Sequence, residues 1–99
     1  MPRPDRPTLS LQARAGEAVA IVLDAQPGAG LLWQAPPAPP GCTLVADGHA
    51  AAGAGDGAAV QQRFLFTAAA AGTHALRFVL QRPWDDQPQA LQPVTVHVV

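Results

Sequence analysis

His74-Ala-Leu-Arg-Phe-Val-Leu-Gln-Arg-Pro-Trp84 is the stretch that decides how this chain is read. Leu76, Phe78 and Leu80 alternate with Ala75, Arg77 and Val79, the period-2 pattern of a half-buried strand. The pattern stops at Arg82-Pro83-Trp84 and gives way to Asp85-Asp86-Gln87-Pro88. Proline pre-sets φ for a turn and removes a backbone donor, so the strand is expected to end there. A tryptophan placed just beyond a strand either folds back onto the core or is presented outward.

The same alternation recurs along the chain. Leu9, Leu11 and Ala13 share a face, as do Val19, Ile21 and Leu23, with Arg14 to Glu17 as the turn between them. Leu31 and Trp33 follow. After Pro36 to Gly41 comes a short candidate, Cys42 to Ala46. Val60, Gln62, Phe64 and Phe66 form the next row, and Val94, Val96 and Val98 the last. Ala68 to Ala71 is too short to nucleate a helix and is closed by Gly72, so it is read as a turn. Seven short strands with no covering helix exclude a parallel α/β sheet and predict an all-β, immunoglobulin-like antiparallel β-sandwich. Trp33, on the third strand, falls where such sandwiches bury a tryptophan.

The 99 residues suit a single domain, 1–99, with residues 1–7 expected to form a loose N-terminal tail. Hydrophobic residues make up 48% and charged residues 13%, which separates the chain from disordered sequences. A formal net charge of -1 offers no field for phosphates, so nucleic acid is not expected as a partner. No apolar run is long enough for a membrane span. Cys42, the single cysteine, cannot form an internal disulfide, so packing alone is expected to join the sheets. Met1 to Pro7 has no apolar stretch of the kind a signal peptide needs; compartment stays open, periplasmic or secreted if a leader was removed. A sandwich of this size is expected to work as a monomer.

Catalytic chemistry is poorly represented. Ser10 lies inside a strand pattern, and His49, His74 and His97 are too dispersed for a metal site, so neither a metal nor a cofactor is expected. Cys42 and His74 can be drawn as a thiol–imidazole pair, but a small buried cysteine and a strand-start histidine is the preferred description. Asp85-Asp86 is read as a solvated turn pair. Binding is better served. The second-to-third, fourth-to-fifth and sixth-to-seventh connections of a seven-stranded sandwich leave at one end. Those are Asp24 to Gly30, Asp47 to Ala59 and Gln81 to Ala90. Glycines admit close backbone approach, and tryptophan and arginine are common interface anchors.

With these loops in place, the chain resembles the chagasin family of inhibitors of papain-like cysteine peptidases, from about Leu9 to Val99. Ala70 to Trp84 resembles the family's strand-turn-strand ending in an R-P-W loop. Gly53-Ala54-Gly55-Asp56 resembles a G-x-G-G loop, with Asp56 replacing the last glycine. Gln26-Pro27-Gly28-Ala29-Gly30-Leu31-Leu32-Trp33 resembles N-P-T-T-G-x-x-W; Pro27, Gly30 and Trp33 match, while Gln26, Gly28 and Ala29 depart. The resemblance implies a peptidase-binding wedge made of Gln26 to Gly30, Gly53 to Asp56, and Arg82, Pro83 and Trp84. It also implies steric, reversible inhibition without a reacting group. The cystatins, which block similar enzymes, need a long helix that this chain has no room for. Two alternatives remain: an immunoglobulin-like binding or adhesion module that uses the same loop end without inhibiting, and a small enzyme built on Cys42.

Overall fold

A computed structural model describes residues 6–25, 31–51, 60–82 and 84–99, with the backbone alone for residues 49–51. The alternating rows become strands β1 (Leu9–Ala13), β2 (Val19–Ala25), β3 (Leu32–Gln34), β4 (Cys42–Ala51), β5 (Val60–Ala68), β6 (Gly72–Gln81) and β7 (Ala90–Val98). They form two sheets, one ordered β1-β7-β6-β3 and the other β2-β5-β4. This is an immunoglobulin-like sandwich in which the first strand has joined the sheet of the last. β1 therefore runs parallel to β7, from Leu9 against Val94 to Ala13 against Val98, while every other pair is antiparallel.

The inward rows meet as the sequence pattern requires. Ile21, Leu23, Phe64 and Phe66 from one sheet face Trp33, Leu76, Phe78, Val94, Val96 and Val98 from the other, all buried. Phe64 and Phe78 touch across the core with ring centroids 4.9 Å apart at a tilted 53°, a favoured aromatic geometry.

Two strands are longer than their patterns suggest. β4 continues past Ala46 to Ala51 through a bulge, where the register with β5 slips between Ala46 and His49. Gly48 occupies the bulge at φ 84 with open space around its Cα. The glycine is needed there for its backbone conformation rather than for packing. Arg63 reaches across from β5 to Asp47 in the same bulge, at 3.0 Å. β7 begins at Ala90 and contains Pro93, a residue usually confined to edge positions. The ladder with β1 starts only at Val94, so Pro93 precedes the first strand pair on that side.

Packing does not join the sheets alone, contrary to the expectation drawn from the missing disulfide. The Trp33 N–H donates to Gln62 Oε1 at 2.6 Å, and Gln62 Nε2 donates back to the Trp33 carbonyl at 3.2 Å. Trp33 Nε1 donates to the Asp24 carbonyl at 2.6 Å. β3 is an edge strand, so its outward backbone groups lack a strand partner; a buried glutamine from the facing sheet supplies one. The expected tail is also shorter at its described end. The Arg6 N–H bonds the Leu91 carbonyl, and the buried Gln92 side chain holds the Pro7 carbonyl at 2.9 Å. The Arg6 guanidinium lies over the Trp33 ring, 5.0 Å from its centroid.

Replacing Gln62 with leucine keeps the volume and strands both backbone groups of Trp33. Unsatisfied buried groups cost about 1–3 kcal/mol, so urea unfolding should show a loss of that size. A neutral or stabilised Gln62→Leu variant would mean that the clamp contributes nothing.

Candidate functional site

The strand ends flanking the three unusual connections converge. In one sheet Ala25, at the end of β2, and Ala51, at the end of β4, both pair with Val60 at the start of β5. In the other, Leu32 at the start of β3 pairs with Gln81 at the end of β6, and Ala90 at the start of β7 pairs with Leu80. The hydrogen bonds from Trp33 to Asp24 and Gln62 hold these two sets together. Connections 26–30, 52–59 and 82–89 therefore spring from one end of the sandwich.

Of the residues singled out in the sequence, Arg82 and Trp84 are described; Gln26, Pro27, Gly28, Ala29, Gly30, Gly53, Ala54, Gly55, Asp56 and Pro83 lie outside the described residues. Trp84 is 70% exposed, the largest exposed apolar side chain among the described residues. An aromatic side chain covers about 150–250 Å², and burial is worth about 25 cal/mol per Å². Leaving most of an indole in water thus forgoes roughly 3 kcal/mol of folding stability. The core tryptophan, Trp33, is 3% exposed. The outward alternative posed by the R-P-W segment is the one the fold adopts.

The loop holding Trp84 is braced by a residue that sequence reasoning set aside. The Asp85 N–H donates to the Arg82 carbonyl at 3.0 Å and closes a four-residue turn. Asp85 Oδ2 accepts from Arg82 Nε at 3.1 Å, from the Arg82 N–H at 3.3 Å and from Gln89 Nε2 at 3.3 Å. The Asp85 carbonyl accepts from Gln81 Nε2 at 2.6 Å, and the Gln89 N–H returns to Leu80 at 2.7 Å. Partial burial pushes the Asp85 carboxyl up. The hydrogen bonds from the Arg82 side chain, Gln89 and the Arg82 backbone, with the Arg82 charge, outweigh it and hold the carboxyl below its ordinary value. Asp85 is thus not a solvated chain-stopper. Its sequence signal was a carboxylate three positions after an arginine across a proline-containing turn. The Arg82 guanidinium in turn lies 5.9 Å from the centroid of the Trp84 ring, within cation–π range.

Cys42 and His74 do meet, at the far end of the sandwich. Cys42 is half-buried rather than buried, because it opens the edge strand β4. Its Sγ lies 3.9 Å from Nδ1 and 3.8 Å from Nε2 of His74, and 3.7 Å from the Pro40 carbonyl. Near-equal distances to both ring nitrogens put the thiol on neither lone-pair axis. A catalytic pair also needs a group that orients the base; among the described residues His74 meets this thiol and the Phe66 ring, and neither orients it as a base. His97 is exposed and contacts Thr73 Oγ1 at 3.3 Å. Among the described residues no cluster of three potential metal ligands occurs.

Comparison with known proteins agrees with this architecture. The sequence profile of the chagasin family, peptidase inhibitor I42, matches residues 12–98. No curated protein sequence matches at a significant level. Among solved structures, the cysteine protease inhibitor EhICP2 from Entamoeba histolytica superposes with TM-score 0.63 at 18% identity, covering 93% of this chain and 85% of its own. PbICP-C, solved in complex with falcipain-2, gives TM-score 0.72 at 16% identity, covering 98% and 91%. The solution structure of amebosin gives 0.68 at 19% identity, covering 100% of both chains. At these identities the structural likeness concerns the fold. The profile match spans nearly the whole sequence, and the chain belongs to the chagasin family of peptidase inhibitors.

Proposed function

We propose that the protein is a reversible inhibitor of papain-like cysteine peptidases that fills the active-site cleft with the loop end of its sandwich. The observation that carries this reading is Trp84, an exposed indole on a braced turn at the end from which all three unusual connections depart. Family membership supplies the class of target, and PbICP-C, of the same fold, was solved bound to falcipain-2.

The physics of such inhibition is steric. Trp84 would bury its ring on apolar surface flanking the cleft and regain the roughly 3 kcal/mol that folding leaves unused. Gly53 to Asp56 would approach the catalytic cysteine, where small residues let backbone come close. Gln26 to Gly30 would occupy the opposite flank. Ala29 brings no hydroxyl where the family pattern has threonine, and Asp56 brings a carboxylate where it has glycine. These two positions are where the choice of target enzyme would be tuned. The protein contributes no nucleophile to this scheme, so complex formation leaves both chains intact and reverses on dilution.

Titration of papain and a cathepsin L-type enzyme should give stoichiometric loss of activity that recovers on dilution. Trp84→Ala should weaken the inhibition constant by at least ~2 kcal/mol, about thirtyfold, as anchor residues do. Loss of less than a few tenths would remove Trp84 from the binding surface. No inhibition by the wild type at micromolar concentration would favour an immunoglobulin-like binding module instead.

A further inference from the structure

Trp84 and Arg82 both carry side chains that solvent would leave free to move, and among the described residues the indole stays largely exposed. Their arrangement traces to one carboxylate. Asp85 Oδ2 gathers the Arg82 N–H, Arg82 Nε and Gln89 Nε2, while its own backbone N–H and carbonyl take Arg82 and Gln81. The guanidinium so fixed lies against the Trp84 ring. The Asp85 side chain is itself 17% exposed, so it faces the loop's interior rather than the surface that Trp84 occupies.

We propose that Asp85 is a positioning residue of the inhibitory surface: it orders Arg82, and through Arg82 the outward-facing indole of Trp84, before any peptidase is met. This rests on the inhibitory reading above. It assigns to Asp85 no contact with the enzyme. Binding by a loop that is already ordered avoids the entropy of immobilising two long side chains in the complex. It also recasts Arg82. Its Nε is engaged within the loop, and its main task is to steady the tryptophan rather than to seek a carboxylate on the partner.

The charged group facing the Asp85 carboxylate among the described residues is Arg82, with Asp86 next in the chain; Gln81 and Gln89 are neutral. An aspartate bonded in this way stays ionised below the usual midpoint near ~3.9. The brace is therefore present above that pH and is lost as pH falls through the lowered value of the folded state. Carbon-13 NMR of the free protein should place the Asp85 carboxyl midpoint below ~3.9, and a midpoint at or above it would contradict the brace.

A double-mutant cycle separates positioning from contact. Asp85→Ala should weaken inhibition of papain about tenfold in the wild-type background, the scale of two side chains left to be ordered on binding. In the Trp84→Ala background the same substitution should cost less than about twofold, because the group being positioned is gone. An equal cost in both backgrounds, or no cost in the first, would overturn the proposal. Should Asp85→Ala melt below the assay temperature, Asp85→Asn keeps the side-chain shape, removes the charge and should show the same pattern at smaller amplitude. If the wild type inhibits nothing, the inhibitory reading falls and the free protein decides the positioning role. The heteronuclear NOE of the Trp84 indole N–H should drop in the Asp85 variant, and an unchanged value would overturn it.

Discussion

The carboxamide of Gln62 lying against the backbone of Trp33 is the contact on which the rest of this sandwich depends. β3 is three residues long and sits at a sheet edge, with β6 as its one strand neighbour. Left with that ladder alone, it would be a weakly held segment. Gln62 offers it both an acceptor and a donor from the opposite sheet, and the Trp33 indole extends the tie to the Asp24 carbonyl. In a chain without a disulfide, these bonds fix the facing ends of the two sheets in register. The convergence of three connections at one end follows from that registration.

The two ends of the molecule are built differently. At the far end, short turns are bonded to one another: the Gly16 N–H to the Ala68 carbonyl, the Ala69 N–H to Gly41, and the Ala15 N–H to Val99. That end carries Cys42 and His74, and among the described residues no cluster of three potential metal ligands forms around them. At the other end an indole stays in water and a network of polar side chains holds its turn. Folding stability is forgone at Trp84 and retained at Trp33. Two tryptophans in one small domain thus divide core and surface between them, as a protein whose purpose is to be buried by a partner requires.

Most of the fold was legible because half-buried strands write their burial into every second residue. Ile21, Phe64, Phe78 and Val96 could be placed in the core without coordinates. Where legibility failed, a tertiary circumstance overrode a local rule. The sequence pattern ends the fourth strand at Ala46 and starts a connection at Asp47, yet the strand absorbs Asp47-Gly48 as a bulge and runs on. The same pattern starts the last strand at Val94; it begins at Ala90, and Pro93 is tolerated within it because the ladder with β1 starts one residue later. Gln62 stood in a row of phenylalanines without a reason until the edge of β3 supplied one. The exposure of Trp84 was a choice the sequence left even, and neighbouring motifs tipped it correctly. Asp85 was passed over because turn aspartates are usually solvated, and only the path of the loop back toward Gln89 reveals how many donors it collects.

In the proposed complex the loop end of the sandwich occupies a peptidase cleft without reacting there. Competition binding tests it most directly, using papain in three forms: active, with its catalytic thiol capped by a methylthio group, and with its cleft filled by a covalent peptidyl inhibitor. The inhibitor is expected to bind the first two with similar affinity, to be recovered uncleaved, and to be excluded from the third. Undiminished binding to the filled enzyme, or loss of binding on methylthiolation as complete as on filling the cleft, would contradict it.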